Sequence, residues 1–353
     1  MSRILEDRLH AIWRQRGIAS TLLQPLACLY GALSARRLRA GAQAAWAAPV
    51  PVLVVGNIFV GGTGKTPVTI AVCQALQARG LHPGIISRGY GIRVGAQAQL
   101  SSDRADAAHL GDEPALIHAA TAAPTAVHPQ RALAARALLR AHPEVDVLIA
   151  DDGLQHTALA RDLEIIVQDG RGIGNGRLLP AGPLREPPAR LTRADWLITH
   201  LGADDVPPAP VPTEAFAPRA ITLHLRPDTV QHVCDGHTLA WDDWRAQYGT
   251  IPCSAAAGIG RPERFFAMLQ AAGVTLSRTL RIPDHQAIPA RSLQDFPAAP
   301  ILITAKDAVK CSPPQDPRLW TVHAAPVFSN PGWLDDLDQA LRAVAVRKQA
   351  ATP

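Results

Sequence analysis

Gly61-Gly62-Thr63-Gly64-Lys65-Thr66 follows the apolar run Val52–Val55 and precedes a helix-forming segment that opens with Pro67. Glycines at 61, 62 and 64 free the backbone to curl so that successive N–H groups face an anion. Lys65 has the length to reach β- and γ-phosphate oxygens, and the Thr66 hydroxyl can ligate Mg2+. Strand, glycine loop and helix in that order predict a phosphate loop built on Gly61, Gly62, Gly64, Lys65 and Thr66. The spacing is unusual, because Phe59 stands where the strict pattern has its first glycine. Pro67 suits a first helical turn, where a missing N–H costs little.

A phosphate loop needs a partner acid on a neighbouring strand. Val145–Ala150 reads as that strand and ends at Asp151-Asp152. Carboxylates at the carboxyl edge of an α/β sheet lie where ligands bind and can hold Mg2+ directly or through water. A turn or helix cap after a buried strand is the plainer alternative. His156 reads equally as a neighbour of that acid pair or as a surface imidazole.

Phosphoryl transfer to an alcohol also needs the hydroxyl aligned and its proton removed, worth about 10²–10⁴-fold when a base is positioned. Asp112-Glu113 precede Pro114 at a helix start, and Asp284-His285 lie in the loop IPDHQ. An acid and a histidine on opposite sides of a cleft could share a proton. Each also has a simpler reading, Asp112 as a helix cap and His285 as a loop residue. The loop Asp169–Pro187 is rich in Gly, Pro and Arg and carries Glu186 near its end. Arg88, Arg171, Arg177 and Arg185 are candidate phosphate contacts by residue type alone.

These residues need a scaffold, and from Pro51 onward short apolar runs alternate with helical stretches, the pattern of a parallel α/β sheet. Strands are expected at Val52–Val55, Gly84–Ser87, Val145–Ala150, Leu163–Val167 and Trp196–Thr199, with helices at Pro67–Arg79 and Arg131–Ala141. Val206–Pro218 reads as a proline-rich hinge. Ile221–Arg226 and Thr229–Val233 look like a short ribbon. Beyond them a smaller α/β unit is expected: strand Ser254–Ala257, helix Pro262–Ala272, strand Ile301–Thr304 and helix Trp333–Val346. The expected organisation is therefore residues 1–45 as a basic amphipathic segment, 46–210 as the nucleotide-binding domain and 211–353 as a smaller domain.

The 353-residue chain has a net charge of +5, five cysteines and no CxxC pair, which argues against a zinc site or disulfide framework. Residues 1–50 hold seven arginines and two acids, so the rest of the chain is balanced. A basic end on a neutral body favours a local anionic partner such as phospholipid headgroups, and disfavours a nucleic-acid groove. Between Arg16 and Arg36 no residue is charged, and Leu22, Leu26, Leu29 and Leu33 share one helical face. Pro25 sits one turn inside this stretch. An interfacial helix suits it best, against a core helix, a signal peptide or a spanning helix of about 20 apolar residues.

VGNIFVGGTGKTP, ISRGYG, GDEP, ADDGLQH, GNGRLLPAGPLREP, AGIGRPERFF, PDHQ and TAKDAVK, in this order, resemble the tetraacyldisaccharide 4'-kinase family of lipid A biosynthesis. The phosphate loop without glycine at position 59 is itself a family trait. The resemblance implies a two-domain α/β kinase on the cytoplasmic face of the inner membrane. It would phosphorylate the 4'-hydroxyl of a tetraacylated glucosamine disaccharide 1-phosphate with ATP and Mg2+, and need no obligate protein partner. By motif, Phe59, Val60, Gly61, Gly62, Thr63, Gly64, Lys65 and Thr66 look like its ATP-binding loop, and Asp112 and His285 like its acid–base pair, with Lys65 on the phosphates. Glu113, Asp151, Asp152 and Glu186 look like the metal and nucleotide shell. The chain departs from the family at Ala305, where glutamate is common, and at Ile282, where an aromatic is usual. A membrane-associated ATPase switch without a small acceptor is the competing reading.

Overall fold

Val52–Gly56 (β1) is buried at every position, as a central parallel strand must be when helices cover both faces of its sheet. The structure, a computed structural model, describes residues 12–13, 15–102, 106–209, 218–283, 286–310 and 316–351. Further strands follow at Pro83–Ser87 (β2), Gln99–Leu100 (β3), Thr125–Val127 (β4), Val147–Asp151 (β5), Leu163–Asp169 (β6) and Trp196–Leu201 (β7). Next come Arg219–His232 (β8), Thr238–Ala240 (β9), Cys253–Ala257 (β10), Leu276–Arg281 (β11), Ile301–Thr304 (β12) and Leu319–Phe328 (β13). Their hydrogen-bonded order is β11-β10-β12-β13-β8-β7-β6-β1-β5-β2-β4-β3, with β9 beside β8.

The strands expected from sequence form, with ends shifted by a residue or two. The expected ribbon of Ile221–Arg226 on Thr229–Val233 does not. Both segments belong to the single strand β8. Pro227-Asp228 resembles a turn, but it sits at a register irregularity where His323 faces Thr229 and the next residue, Ala324, faces Pro227, leaving Asp228 of β8 as the extra residue. A bulge tolerates a residue that cannot donate to the ladder. The ribbon is instead β8 with β13, which lies antiparallel along it from Phe328 opposite Leu223 to Trp320 opposite His232.

This strand sets the architecture. Its first residues, Arg219 to His224, run parallel to β7. Its last residues continue past the carboxyl edge of the first strands. There β13 runs back against it, and β12 and β10 join parallel to β13. The direction of the sheet thereby reverses. The carboxyl ends of β10 and β12 face the carboxyl ends of β1, β5 and β6 across a gap.

On one face Leu53 and Val55 of β1 pack with Val68, Val72 and Leu76 of helix Lys65–Ala78 and with Trp333, Leu337 and Leu341. The last three belong to the C-terminal helix Trp333–Ala351, which returns to cover the first strands. The other face sets Val52 and Val54 against Ala134, Ala135 and Leu138 of helix Arg131–Ala141. Trp244, Phe265 and Leu269 pack on Ala255, Leu302 and Trp320 to form the core of the later strands. Ile282 is buried beside Leu293, Phe296 and Ile301, so an aliphatic side chain fills the place usually taken by an aromatic.

The uncharged N-terminal stretch folds as two helices, Ile18–Leu22 and Gln24–Gln43. Pro25 lies in the first turn of the second helix, not inside a single one, because that position needs no intrahelical N–H bond. The helix docks through small residues. Ala27 is buried, Gly31 lies against Leu178, and Gly41 against Thr157. Leu22, Leu26, Leu29 and Leu33 face away, between 55% and 75% exposed. No described helix is long and apolar enough to cross a membrane.

Trp333 is 1% exposed, 6.3 Å from the Trp196 ring and 5.2 Å from Phe328. Trp333→Ala is expected to cost about 3–5 kcal/mol, read as a lowered urea midpoint with the C-terminal helix still present by circular dichroism.

Candidate active site

The phosphate loop is built from its neighbours. Val60 N–H donates to Pro183 O at 2.9 Å and Arg185 N–H to Ile58 O at 2.7 Å. These bonds tie the loop's first limb to the segment Asp169–Pro187. Phe59 is buried under the Arg171 guanidinium, 4.2 Å from its ring centroid, which explains an aromatic residue where the strict pattern has glycine. From inside, Asn57 Nδ2 donates to Thr63 Oγ1 at 3.0 Å and Gly61 O at 3.3 Å. Gly64 caps helix Lys65–Ala78 with φ +90, and a Cβ there would meet His200 Nδ1 at 2.1 Å. Only glycine fits both constraints.

Asp151 and Asp152 end β5 beside this loop. Asp151 is 1% exposed and accepts from Thr69 Oγ1 at 3.1 Å. Burial, with the nearby Glu113 charge, pushes its carboxyl up to about 7. Asp152 behaves oppositely. Although burial works against it, Lys65, Arg185 and Arg131 hold its carboxyl down at about 2. Lys65 Nζ stands 3.5 Å and Arg185 Nη1 3.4 Å from it. Asp152 has φ +46, a left-handed conformation uncommon outside glycine and concentrated at functional sites. Beneath both, the buried Arg131 donates to Asp151 O at 3.3 Å.

Asp112 and Glu113 open helix Asp112–Thr121, whose N-cap is Gly111, so Asp112 is the first helical residue and not the cap. Gly111 has φ +88 and lies where a Cβ would strike Tyr90 O at 2.8 Å, which explains the glycine of GDEP. From the opposite side, Lys306 Nζ reaches Glu113 at 3.2 Å. Lys310 Nζ stands 3.9 Å from Asp112 and 3.3 Å from the buried Asp307. Asp307 in turn accepts from Gly258 N–H at 3.0 Å. The facing edges are thus bridged by lysines. His285, with Asp284, lies outside the described residues; Pro283 and Gln286 flank them, and Gln286 O lies near Gly258.

These groups line one cleft of about 2230 Å³ that contains Gly61–Thr66, Glu113, Asp151, Asp152, Lys306 and also Tyr30 and Leu33 of the N-terminal helix. Glu186 is held elsewhere. Gln155 Nε2 donates to it at 2.7 Å and Arg190 Nε lies 3.4 Å away. Among the arginines, Arg88 and Arg185 line the cleft. Arg171 is bound to Asp169, and Arg177 donates to Ser20 and Thr21. His156 also lines the cleft, where burial, then Arg131 and Arg88, pull it down to about 4.

Among the described residues no three acidic, histidine or cysteine side chains form a ready metal cage. Mg2+ is held by one or two carboxylates with waters and substrate phosphates. The crowded acid Asp151, with Thr66 one helical turn before Thr69, supplies such a donor set. Sequence reading passed over Asn57, Thr69, Asp169, Lys306 and Lys310. The last two lie in TAKDAVK and Asn57 in VGNIF, motifs already noted for their resemblance.

A glycine loop and facing acids, gathered at the carboxyl ends of parallel strands, define a phosphate-loop α/β protein. The profile described as LpxK, tetraacyldisaccharide-1-P 4'-kinase, matches residues 19–342, and the chain belongs to that family. The tetraacyldisaccharide 4'-kinase of Bordetella parapertussis is 53% identical over 344 residues, 97% of this chain and 98% of that one. That of Herminiimonas arsenicoxydans is 45% identical, covering 90% and 91%. Crystalline LpxK from Aquifex aeolicus, solved in complex with ATP, superposes with a TM-score of 0.72 at 24% identity. It covers 92% of this chain and 99% of its own, which establishes a shared fold.

A buried acid whose folded pKa is raised stabilises the fold below its unfolded pKa and loses that contribution as pH rises through the folded value. With Asp151 at about 7, the melting-temperature advantage of Asp151→Asn over wild type in EDTA should grow between about pH 4 and pH 7 and then level off. A constant difference across that range would refute the assignment.

Proposed function

We propose that the protein transfers the γ-phosphoryl group of ATP to the 4'-hydroxyl of a tetraacylated glucosamine disaccharide 1-phosphate. The observation that carries this reading is the single cleft in which a phosphate loop faces Glu113 and Lys306 and which the N-terminal helix helps to line. Family membership supports the acceptor.

In this reading the amides of residues 59–66 wrap the triphosphate. The Lys65 ammonium, already poised beside Asp152, bridges to the β- and γ-oxygens. Mg2+, held by Thr66 and Asp151 with Asp152 and Glu113 nearby, would neutralise charge developing on the transferred group. Asp112 and His285 act as the acid–base pair that takes the acceptor proton. The placement of Asp112 beside Lys310, and of Pro283 and Gln286 near Gly258, supports their approach from opposite edges. Glu186 acts at one remove, orienting Gln155 and Arg190. Residues 46–210, covered by the returning helix Trp333–Ala351, serve as the nucleotide lobe, and the rest of 211–353 serves as the facing lobe.

The acceptor's acyl chains stay in a bilayer, so the enzyme must come to it. The exposed leucine face and the arginines at 36, 37 and 39 support a peripheral position on an anionic membrane, placed here on the cytoplasmic side where ATP is available. The charge-balanced body gives no support to a nucleic-acid partner, and no obligate protein partner is required.

In detergent micelles with Mg2+, ADP release should depend on the disaccharide. Acceptor-independent hydrolysis would favour the ATPase switch and sink the kinase reading. Lys65→Ala is expected to lower kcat/KM by about 10²-fold or more. Asp112→Ala should lower kcat by about 10²–10⁴-fold with an unchanged melting temperature; near-full activity would remove it as a proton-handling residue.

Replacing Leu22, Leu26 and Leu29 together by Ser should cut sedimentation with anionic vesicles by more than tenfold, since each buried leucine is worth about 1.5–3 kcal/mol. ATP affinity in solution should be unaffected. Equal recovery with vesicles would show that this face does not meet lipid.

A further inference from the structure

Asp169 ends β6 with its side chain 1% exposed, and no step above uses it. Three guanidinium groups converge on this one carboxylate. Arg171 grips it through Nε at 3.0 Å and Nη2 at 2.7 Å. Arg261 and Arg264 approach it at 3.4 Å and 3.8 Å.

The arginines come from different places. Arg171 belongs to the loop after β6, where it also donates to Gly62 O at 3.0 Å and covers Phe59. Arg261 and Arg264 come from the turn and helix after β10, in the later strands. Arg264 further donates to His200 O at 3.0 Å and pairs with Asp205. The His200 ring lies in contact with Gly64. A single acid therefore touches the phosphate loop by two routes, Arg171 to Gly62 and Arg264 to His200 to Gly64, and grips the opposite lobe by two arginines.

We propose that Asp169 is a positioning residue that couples seating of the C-terminal lobe to the shape of the phosphate loop. Without its charge, the three guanidinium groups would lose the carboxylate they share, and their repulsion would push the lobe outward and release Arg171 from Gly62. With it, docking of Arg261 and Arg264 holds the loop's amides in their anion-binding curl. The loop is thereby competent when the lobe carrying Lys306 and Lys310 is in place. This inference rests on residues 59–66 being the nucleotide site, but not on the identity of the acceptor.

The test uses the full-length protein in micelles. A fluorescent ATP analogue reports nucleotide affinity, steady-state rates give both KM values, and hydrogen exchange reports on the amides of residues 59–66. Asp169→Asn is expected to weaken ATP binding about tenfold, the loss of one charge-assisted contact. KM for ATP should rise in parallel while KM for the disaccharide stays within about twofold. Arg264→Lys, made on the other lobe, should speed exchange across residues 59–66 and give the same split of KM values. Arg171→Met should add little further loss of affinity in the Asp169→Asn background, because the two act through one linkage.

Wild-type ATP affinity in Asp169→Asn, equal rises in both KM values, or additive effects in that double mutant would each overturn the proposal. If Asp169→Asn fails to give a cooperative melt, Arg264→Lys decides alone: a lowered melting temperature with unchanged loop exchange overturns the coupling. Wild-type protein that binds no ATP would instead refute the nucleotide site itself.

Discussion

Where β13 lies antiparallel on the outer part of β8, the direction of the sheet reverses, and the geometry of the cleft depends on that reversal. Parallel α/β sheets offer ligands only their carboxyl edge. An ordinary continuation of the sheet would have left the later strands pointing the same way, with their loops beside the phosphate loop. Because β8 overshoots that edge before β13 returns, the two sets of carboxyl ends oppose one another. Lys306 and Lys310 can then reach Glu113 and Asp112 over separations of nearly two hundred residues in sequence.

The cleft is correspondingly an exercise in charge placement. Burial and the Glu113 charge raise Asp151 against the pull of Lys65, so its proton is retained near neutrality, whereas Lys65, Arg185 and Arg131 overcome burial at Asp152 and keep it ionised. Adjacent residues with the same side chain are thus pushed in opposite directions, an environment-driven separation of the kind that assigns different roles to like groups. His200, beside the loop, is kept neutral by burial and by Arg264, down to about 4. It therefore adds no charge beside Gly64.

Much of this was legible in the residues. The phosphate loop is a local motif, and each expected parallel strand is a short apolar run whose burial follows from its composition. What escaped were features made by long-range pairing. Pro227-Asp228 reads as a turn unless one knows that β8 bulges there against a continuous β13. The role of Asp169 depends on arginines 2, 92 and 95 residues away in sequence, and nothing local announces it. Glu186 was grouped with the metal shell because its motif is shared, yet Gln155 and Arg190 hold it. The leucine stripe was read correctly as a face. Only the structure shows that the opposite face, Ala27, Gly31 and Gly41, is what docks.

That helix has one more consequence. Its inner side reaches the nucleotide pocket, with Tyr30 Oη donating to Arg185 O at 3.2 Å, and Arg185 in turn touches Asp152. Its outer side carries the bare Leu26 and Leu29. In the proposed membrane-bound arrangement, the apolar layer those leucines meet would be separated from the pocket wall by one helix diameter, about 10 Å. The helix would then be a fixed spacer, a gauge that sets the height of the reacting centre above that layer. A sugar headgroup standing proud of the layer would fall within its span, while anything buried at acyl depth would stay below it.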